Sequence, residues 1–578
     1  VCGLMVAALG RPFHLGMLYD CRSDSLVPGV MLWDPEDLVK DTLENSQHNT
    51  EFKIHASDSI ENKSSALNIE ASLKASFLGG LVEVGGSANF LKDTKTSKKQ
   101  ARVTLQYKTT TKFKQLSMNH FGRGNVKCPY VFDQGIATHV VTAILYGAQA
   151  FFVFDQEVSE NEDHQNIEGN LQMMVEKINC FSVDGKGTLK MTDDDNAKAE
   201  NFSCKFYGDF ALENNPVSFQ EAVKVYTMLP KLLGERGEHA VPVQIWLLPL
   251  TYLDSSATRV GHEISLGLVQ ETQTVLEELS GLQMQCNDLM NRNVTSHFPE
   301  IGTKVKDFKD MCLQYKSIFQ TSLSEILPLI RGGGKEEREL AEILKRKQQS
   351  LFNSNTLQKW LDSKEREIDI LQIIIEVMKD TTMLTSEKAF DIEMFKSKAK
   401  YVVCFAFTSL NDKEPYLRHL SEYLKTLSVY LFVDFAEANK DSTNAQFLST
   451  SVSGSGHKGG KIYLYKDSKK QTDNFEPPSK PGKLRAIERT HDGMTVELGP
   501  PKYGSSEVTE YLIEYCVDEE YEWKEIKTPK DNIICVVSGL TSNHYGPWSH
   551  RSRKINSDQW DDQLYLGCRE SNIRCHSI

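Results

Sequence analysis

Between residues 100 and 113 the chain alternates. Val103, Leu105, Tyr107 and Phe113 fall on one face, and Arg102, Thr104, Gln106, Lys108 and Lys112 fall on the other. Period-two alternation of this length predicts a long strand with one buried and one wet face. Residues 139–154 form a second long run, apolar almost throughout, and residues 50–55, 202–210 and 243–250 carry shorter strand patterns. Long strands with a wet face predict a large, bent antiparallel sheet.

Two stretches fit more than one period. In residues 68–90, Ile69, Leu73, Phe77, Leu81, Val84 and Ala88 make a stripe at helical spacing. The same stretch alternates as Ile69, Ala71, Leu73, Ala75 and Phe77 against Asn68, Glu70, Ser72, Lys74 and Ser76. After Gly79 and Gly80, a candidate turn, the apolar set becomes Val82, Val84, Ala88 and Phe90. Each arm is close to the roughly 9–11 residues of a membrane-crossing strand. Gly85 and Gly86 each weaken a helix by about 1 kcal/mol relative to alanine. The second stretch, residues 156–180, carries a helical stripe of Ile167, Leu171, Met174 and Ile178, and Ile167, Leu171, Met173 and Val175 at spacing two. Asp155, Glu157, Glu160, Glu162 and Asp163 precede most of it, and carboxylates suit water rather than lipid. An amphipathic helix on the domain surface and a membrane hairpin both remain open for each stretch. The order is informative: strands at 50–55 and 100–113 flank the first stretch, and strands at 139–154 and 181–191 flank the second.

Beyond residue 258 the period changes. Ile264, Leu268, Val275, Leu279, Leu282, Cys286 and Leu289 follow helical spacing, as do Ile301, Val305, Phe308, Cys312, Tyr315, Phe319, Leu323 and Ile326. Residues 340–352 and 357–378 complete a predicted four-helix bundle. Residues 401–407 then read as a buried strand, 415–427 as a helix and 461–465 as a strand, an α/β pattern.

Composition removes several functions. The net charge of −13 excludes nucleic acid as the main partner, because phosphate contacts need a basic surface. It leaves apolar contact or a receptor as the route to a membrane. No run reaches the roughly 18 apolar residues of a spanning helix. Residues 1–9 are apolar but lack a basic n-region and a cleavage site, which predicts no classical signal peptide. Location therefore stays open between the cytoplasm and release followed by membrane association. The 12 cysteines include no Cys-x-x-Cys pair and read as reduced, buried thiols. The GSGHKG run at 454–459 precedes a strand instead of opening a helix, so it reads as a loop and not a phosphate cradle. No spacing suits a metal, a cofactor or an activated nucleophile, and no enzyme is predicted.

The runs LGRPFHLGMLYD at residues 9–20, PGVMLW at 28–33 and THVVTAILYG at 138–147 resemble the stonefish-toxin family. The resemblance implies a fold similar to the perforin and cholesterol-dependent-cytolysin domain over residues 1–257. There, two helical clusters between sheet strands unfurl into membrane hairpins. Segments 68–90 and 156–180 would be those clusters, with Gly79, Gly80, Gly85 and Gly86 as hinge or turn glycines. It also implies a bundle similar to a focal-adhesion-targeting domain over 258–388. Residues 389–476 would be a thioredoxin-like domain, catalytically dead because SLND stands at 409–412 and Cys404 is alone in its strand. Residues 477–545 resemble a partial fibronectin type III sandwich, without its usual core tryptophan. Residues 546–578 show neither period and predict an irregular tail, as at a truncated or alternatively spliced end. The predicted whole is multidomain α+β: a bent antiparallel sheet with flanking helical clusters, a helical bundle, a thioredoxin-like α/β domain and a partial β-sandwich.

Two functions follow from this. One is an oligomeric pore former, assembled with itself or with a related subunit. It would face Ile69, Leu73 and Phe77 to lipid and Asn68, Glu70, Ser72 and Lys74 to the lumen, in a closed barrel that satisfies its backbone. The other is a non-lytic intracellular scaffold or immune protein built on the same domains.

Overall fold

A computed structural model describes residues 3–117, 123–159, 161–180, 192–408, 428–452, 459–479, 481–490, 493–516, 523–538 and 573–575. The chain divides into two compact units, residues 1–290 with 305–361, and residues 291–304 with 362–578.

The first unit is built on an eight-stranded sheet. Its strands are β1 (Leu4–Ala7), β2 (Met17–Asp20), β3 (Ser25–Met31), β4 (Thr42–His55), β5 (Gln100–Leu116), β6 (His139–Glu157), β7 (Ser203–Gly208) and β8 (Val241–Pro249). The long strands lie where the alternation of β5 and the apolar run of β6 predict them, and β4, β5 and β6 all extend beyond the predicted limits. β4, β5, β6 and β7 pair antiparallel in that order, and β6 also pairs with β8. The register shifts between Thr110 and Lys112, opposite Gly147. A Cβ at Gly147 would lie 2.1 Å from the Thr109 carbonyl oxygen, so only glycine fits this point of the sheet.

One expectation about β5 fails. Arg102, Thr104 and Gln106 are not on a wet face; they are 1%, 2% and 3% exposed. Both faces of the sheet are covered here. Val103, Leu105, Tyr107, Phe152 and Phe154 pack under helices α5 (His164–Cys180) and α7 (Phe219–Leu232). The opposite face, with Phe151 and Val153, lies under the chain that connects β4 to β5. Arg102 meets Asp155 of β6 together with Asp58 and Asp93 of the covering segment, and Gln106 donates to the Ala66 carbonyl of that segment, so both are buried with partners.

The same unit holds helix α8 (Leu266–Met290), most of α10 (Pro299–Arg331), α11 (Arg338–Gln349) and the start of α12 (Ser354–Val377). α11 has Glu339 in its first turn and Arg346 and Lys347 in its last, the polarity its dipole favours. Phe308 stacks on Trp360 at 4.1 Å, and Tyr315 on Phe352 at 4.4 Å.

In the second unit, Thr382–Leu384, Tyr401–Thr408, Ala445–Val452, Gly459–Lys466 and Lys469–Thr472 form a five-stranded mixed sheet. Cys404 is fully buried in its central strand, and burial pushes its thiol up. The predicted helix at 415–427, the SLND run and all but Gly459 of the glycine-rich run lie outside the described residues. Gly482–Arg489, Gly493–Gly499 and Ile534–Ser538 form one three-stranded sheet. Glu510–Cys516, Trp523–Pro529 and Ile573–Cys575 form another. Val496, Leu498, Tyr511, Ile513 and Val537 share one core.

Candidate membrane-inserting segments

The chain leaves the sheet at His55 and returns at Gln100. Between them lie α2 (Ile60–Ala66), α3 (Ala71–Leu78) and a 3-10 helix over Gly86–Lys92. The folded chain thus takes the helical alternative for residues 68–90, but in pieces. Asn68 and Gly80 have positive φ, at 54° and 75°, and end α2 and α3. An eight-residue helix is not stable alone, so α3 depends on its contacts.

Apolar burial is the first of these contacts. Leu73, Ala75, Val82, Ala88 and Phe90 are buried, and so is Ile69; Ala71, Phe77, Leu81 and Val84 are half-buried. The Phe90 ring stacks on Phe151 at 4.3 Å. Gly79 lies against α10, where an added Cβ would come 3.1 Å from Leu327 and 3.3 Å from Leu323. The neighbouring Leu78 carbonyl accepts a hydrogen bond from Gln320.

Charge is the second. Arg102 on β5 donates to Asp155 on β6 at 2.6 and 2.8 Å, to Asp58 at 3.0 Å and to Asp93 at 2.8 Å. Asp58 also pairs with Lys63 at 2.8 Å, and Asp93 with Lys205 on β7 at 3.3 Å. Lys63 donates to the Asp93 carbonyl and sits 5.1 Å from the Phe90 ring centre. Asp58 and Asp93 are the two ends of the segment, so one guanidinium fastens both to the sheet. Burial raises the Asp58 carboxyl, but Lys63 and Arg102 outweigh it and hold it below its ordinary value.

A second buried cation holds α3. Arg331 at the end of α10 donates to Asp24 at 3.0 Å, to Ser76 Oγ at 2.6 Å and to the Ser72 carbonyl at 2.7 Å. Ser76 donates in turn to Asp24 at 2.6 Å. Asp209, just after β7, accepts from the Ser87 amide, the Ser87 hydroxyl and the Gln149 amide. Burial nevertheless leaves its carboxyl above the ordinary range. An open cleft of about 690 Å³ runs beside this contact, between Asn89 and Lys92 on one wall and Phe206 and Asn215 on the other.

The second segment follows β6. Here α5 is a single helix over residues 164–180, with Leu171, Met174, Val175 and Ile178 buried against β5, β6 and α7. Ile167 is half-buried, and Met173 is 56% exposed. Lys177 pairs with Asp195 at 2.6 Å, and that bond with the Thr192 amide lowers the Asp195 carboxyl to about 2. Asp155, one of the carboxylates expected beside water, is instead buried on Arg102. Glu160 and the predicted strand at 181–191 lie outside the described residues.

Gly85 and Gly86 lie outside the sheet. The Gly85 amide donates to the Leu9 carbonyl, and Gly86 has φ 53° at the start of the 3-10 helix. Sequence reasoning did not single out Asp24, Asp58, Asp93, Asp209 or Arg331. Arg331 alone carries a local signal, a charge directly after the apolar run Leu327–Ile330; Asp24, Asp58 and Asp93 lie in polar stretches that read as ordinary surface.

Among the described residues no cluster of His, Cys, Asp and Glu suits a metal ion. Cys21 Sγ lies 3.1 Å from His139 Nδ1, but burial pushes that thiol up to about 12 and the imidazole down to about 4. Such a pair is neutral and enclosed, unlike a nucleophile and its base. No described helix is long and apolar enough to cross a membrane.

Comparison with known proteins agrees with this architecture. Residues 4–254 match the family model "SNTX, MACPF/CDC-like domain" and residues 274–369 the "Stonustoxin helical domain". Residues 380–430 and 426–477 match the "Thioredoxin-like SNTX domain". The chain is 39% identical to stonustoxin subunit alpha of Synanceia horrida, over 83% of this chain and 72% of that one. It is 38% identical to cytolytic toxin-alpha of Scorpaena plumieri, over 85% and 73%. The solved stonustoxin structure superposes with a TM-score of 0.62 at 35% identity, covering 82% of this chain and 68% of that one. With a sheet whose two helical segments are each strung between neighbouring strands, and with relatives this similar over most of their length, the chain belongs to the stonustoxin family.

Proposed function

We propose that this chain is a pore-forming subunit, not an enzyme. On a membrane it would convert residues 68–90 and 156–180 into strands of two β-hairpins, and it would assemble with copies of itself or with a related subunit. The observation that carries this reading is topological. Each segment leaves one strand of the sheet and returns on a neighbour, so each can extend two strands without breaking any sheet bond. Relatives named as toxin subunits alpha and beta support assembly with a second, similar chain. With a net charge of −13, attachment rests on apolar contact or a receptor. We also assign residues 1–257 to the pore-forming domain, 258–388 to the helical bundle, 389–476 to the thioredoxin-like domain and 477–545 to a partial fibronectin type III sandwich. The shared core of the two three-stranded sheets supports the last assignment.

Dye release from zwitterionic and anionic vesicles at neutral and acidic pH tests the proposal. A disulfide through Ser87→Cys and Asp209→Cys, whose side chains touch at 3.0 Å, ties the first segment to the sheet. Leakage that stops in the oxidised variant and returns on reduction is expected. Absence of leakage by the wild-type chain under all conditions overturns the reading in favour of a non-lytic scaffold. Leakage indifferent to the tether overturns the assignment of the segment.

A further inference from the structure

We infer that the inserted hairpins keep the register of the folded sheet without a slip, so that lipid contacts one continuous set of rows across β4, β5 and β6, and Gly79–Gly80 forms the tip of the first hairpin. This rests on the pore-forming reading above. Strand pairing at the release end of the sheet is regular. There β4 and β5 pair without irregularity from Thr50 with Thr109 to His55 with Thr104. β5 and β6 pair without irregularity from Thr109 with Ala148 to Gln100 with Glu157. The register shifts lie at the other end of these strands.

Continuing both pairings outward, one residue at a time, predicts which residues meet. Ile69, Phe90 and Ile167 fall in one row, and eight residues further out Phe77, Val82 and Val175 fall in another. The rows between them on that face are Ala71 with Ala88 and Gly169, Leu73 with Gly86 and Leu171, and Ala75 with Val84 and Met173. No row on this face carries a charged or hydrogen-bonding side chain. The opposite face carries Glu70 with Asn89 and Glu168, and Lys74 with Gly85 and Gln172. Three arms that are separate in sequence thus agree in phase, although only the folded strands fix the phase. A slip of one residue destroys the agreement. It sets Phe90 beside Asn68 or Glu70 on one side, and beside Asn166 or Glu168 on the other. Successive residues alternate between faces, so a one-residue error inverts a whole strand.

The turn agrees independently. The pair after Ser76 with Glu83 and Phe77 with Val82 is Leu78 with Leu81, which leaves Gly79–Gly80 as a two-residue loop. Two-residue hairpin loops need positive φ, and Gly-Gly is among the favoured pairs. Residues 69–77 supply nine positions, the lower end of the roughly 9–11 that a tilted membrane-crossing strand needs. Residues 56–99 and 158–180 contain no proline to interrupt the ladder. The face that meets lipid continues the face of Thr104 and Val153, the one that the first segment covers in the folded chain.

An encoded fluorescent amino acid leaves the 12 native cysteines alone and reads the phase. In vesicles of phosphatidylcholine and sterol, labels at Ala75, Val84 and Met173 are expected to lose at least about twofold more signal to a lipid-borne quencher than labels at Lys74, Glu83 and Gln172. Oxidation of the membrane-bound Ala71→Cys/Ala88→Cys chain should give a cross-link that the Ala71→Cys/Val84→Cys chain does not give. Leakage with the opposite labels quenched, with unequal phase among the three arms, or with the second cross-link in place of the first overturns the register and leaves pore formation standing. No leakage and no quenching at any label overturns pore formation and the register with it.

Discussion

The two helical segments cover opposite faces of one sheet and are held in different ways. The first lies on a face that mixes Phe151 and Val153 with the polar side chains of β5, and beyond its apolar contacts it is fixed by Arg102 and Arg331, both buried, with Asp24, Asp58, Asp93 and Asp155 around them. The second lies on an apolar face, and the contacts described for α5 are mainly Leu171, Met174, Val175 and Ile178 in a hydrophobic core. Apolar contact is non-directional and weakens gradually as a helix lifts. A buried charge pair is directional, and breaking it strands charge in a dry site. The first segment should therefore release in an all-or-none step, and the second in a graded one.

The comparison breaks most visibly at Arg102. Arg102→Met leaves three carboxylates facing Lys63 and Lys205, and should cost about 3–5 kcal/mol of stability in thermal or denaturant unfolding. Hydrogen exchange should accelerate across residues 56–99 while α5 stays protected. Equal loosening of both segments would show that they are not held separately. Leu171→Ala is the converse, expected to cost about 3 kcal/mol and to speed exchange in α5 first. Ser76→Ala should cost only about 1–2 kcal/mol, because Arg331 and Asp24 keep each other.

Acid provides a milder test. Asp58 is held below its ordinary value of 3.8, so its contribution is complete above that value and is lost as pH falls through the depressed one. The tie between α5 and Asp195 should persist further, towards pH 2. Limited proteolysis between pH 5 and pH 2 should open the first segment before that tie fails; the reverse order would contradict the assigned fastenings. The smallest effect on folding belongs to Met173→Lys. Met173 is exposed in the folded chain, so unfolding should shift by no more than about 0.5 kcal/mol. Leakage should nevertheless fall sharply, since a charge on the lipid face of a strand costs about 2–4 kcal/mol at the bilayer centre.

Much of this architecture is legible in the sequence, and the reason is local. Strand alternation at β5 and the apolar run of β6 are set by residues two apart, and the stripe Leu171, Met174, Ile178 by residues three and four apart. The fastenings are not legible because their partners are distant. Asp24 and Arg331 are 307 positions apart, and Arg102 meets Asp155 across 53. A polar strand face is read as wet by default. Here it is dry, because the covering segment brings matching charge from elsewhere in the chain. The glycines divide in the same way. Gly79 and Gly80 end a helix where a turn was expected, while the glycine that shapes the sheet, Gly147, carries no local signal beyond its place in an apolar run.

Gly147 also stands at the foot of a long arm. It is the point where β5 shifts register, and ten residues of β6 separate it from Glu157, where the chain departs for α5. That arm is about 33 Å long, so a change of bend of about 20° at Gly147 carries its end through roughly 12 Å. Asp58 and Asp93 are fastened near that end, and Arg331 grips α3 from a helix outside the sheet. A small angular change at one missing methyl group would thus be delivered, magnified, as tension between the two cations.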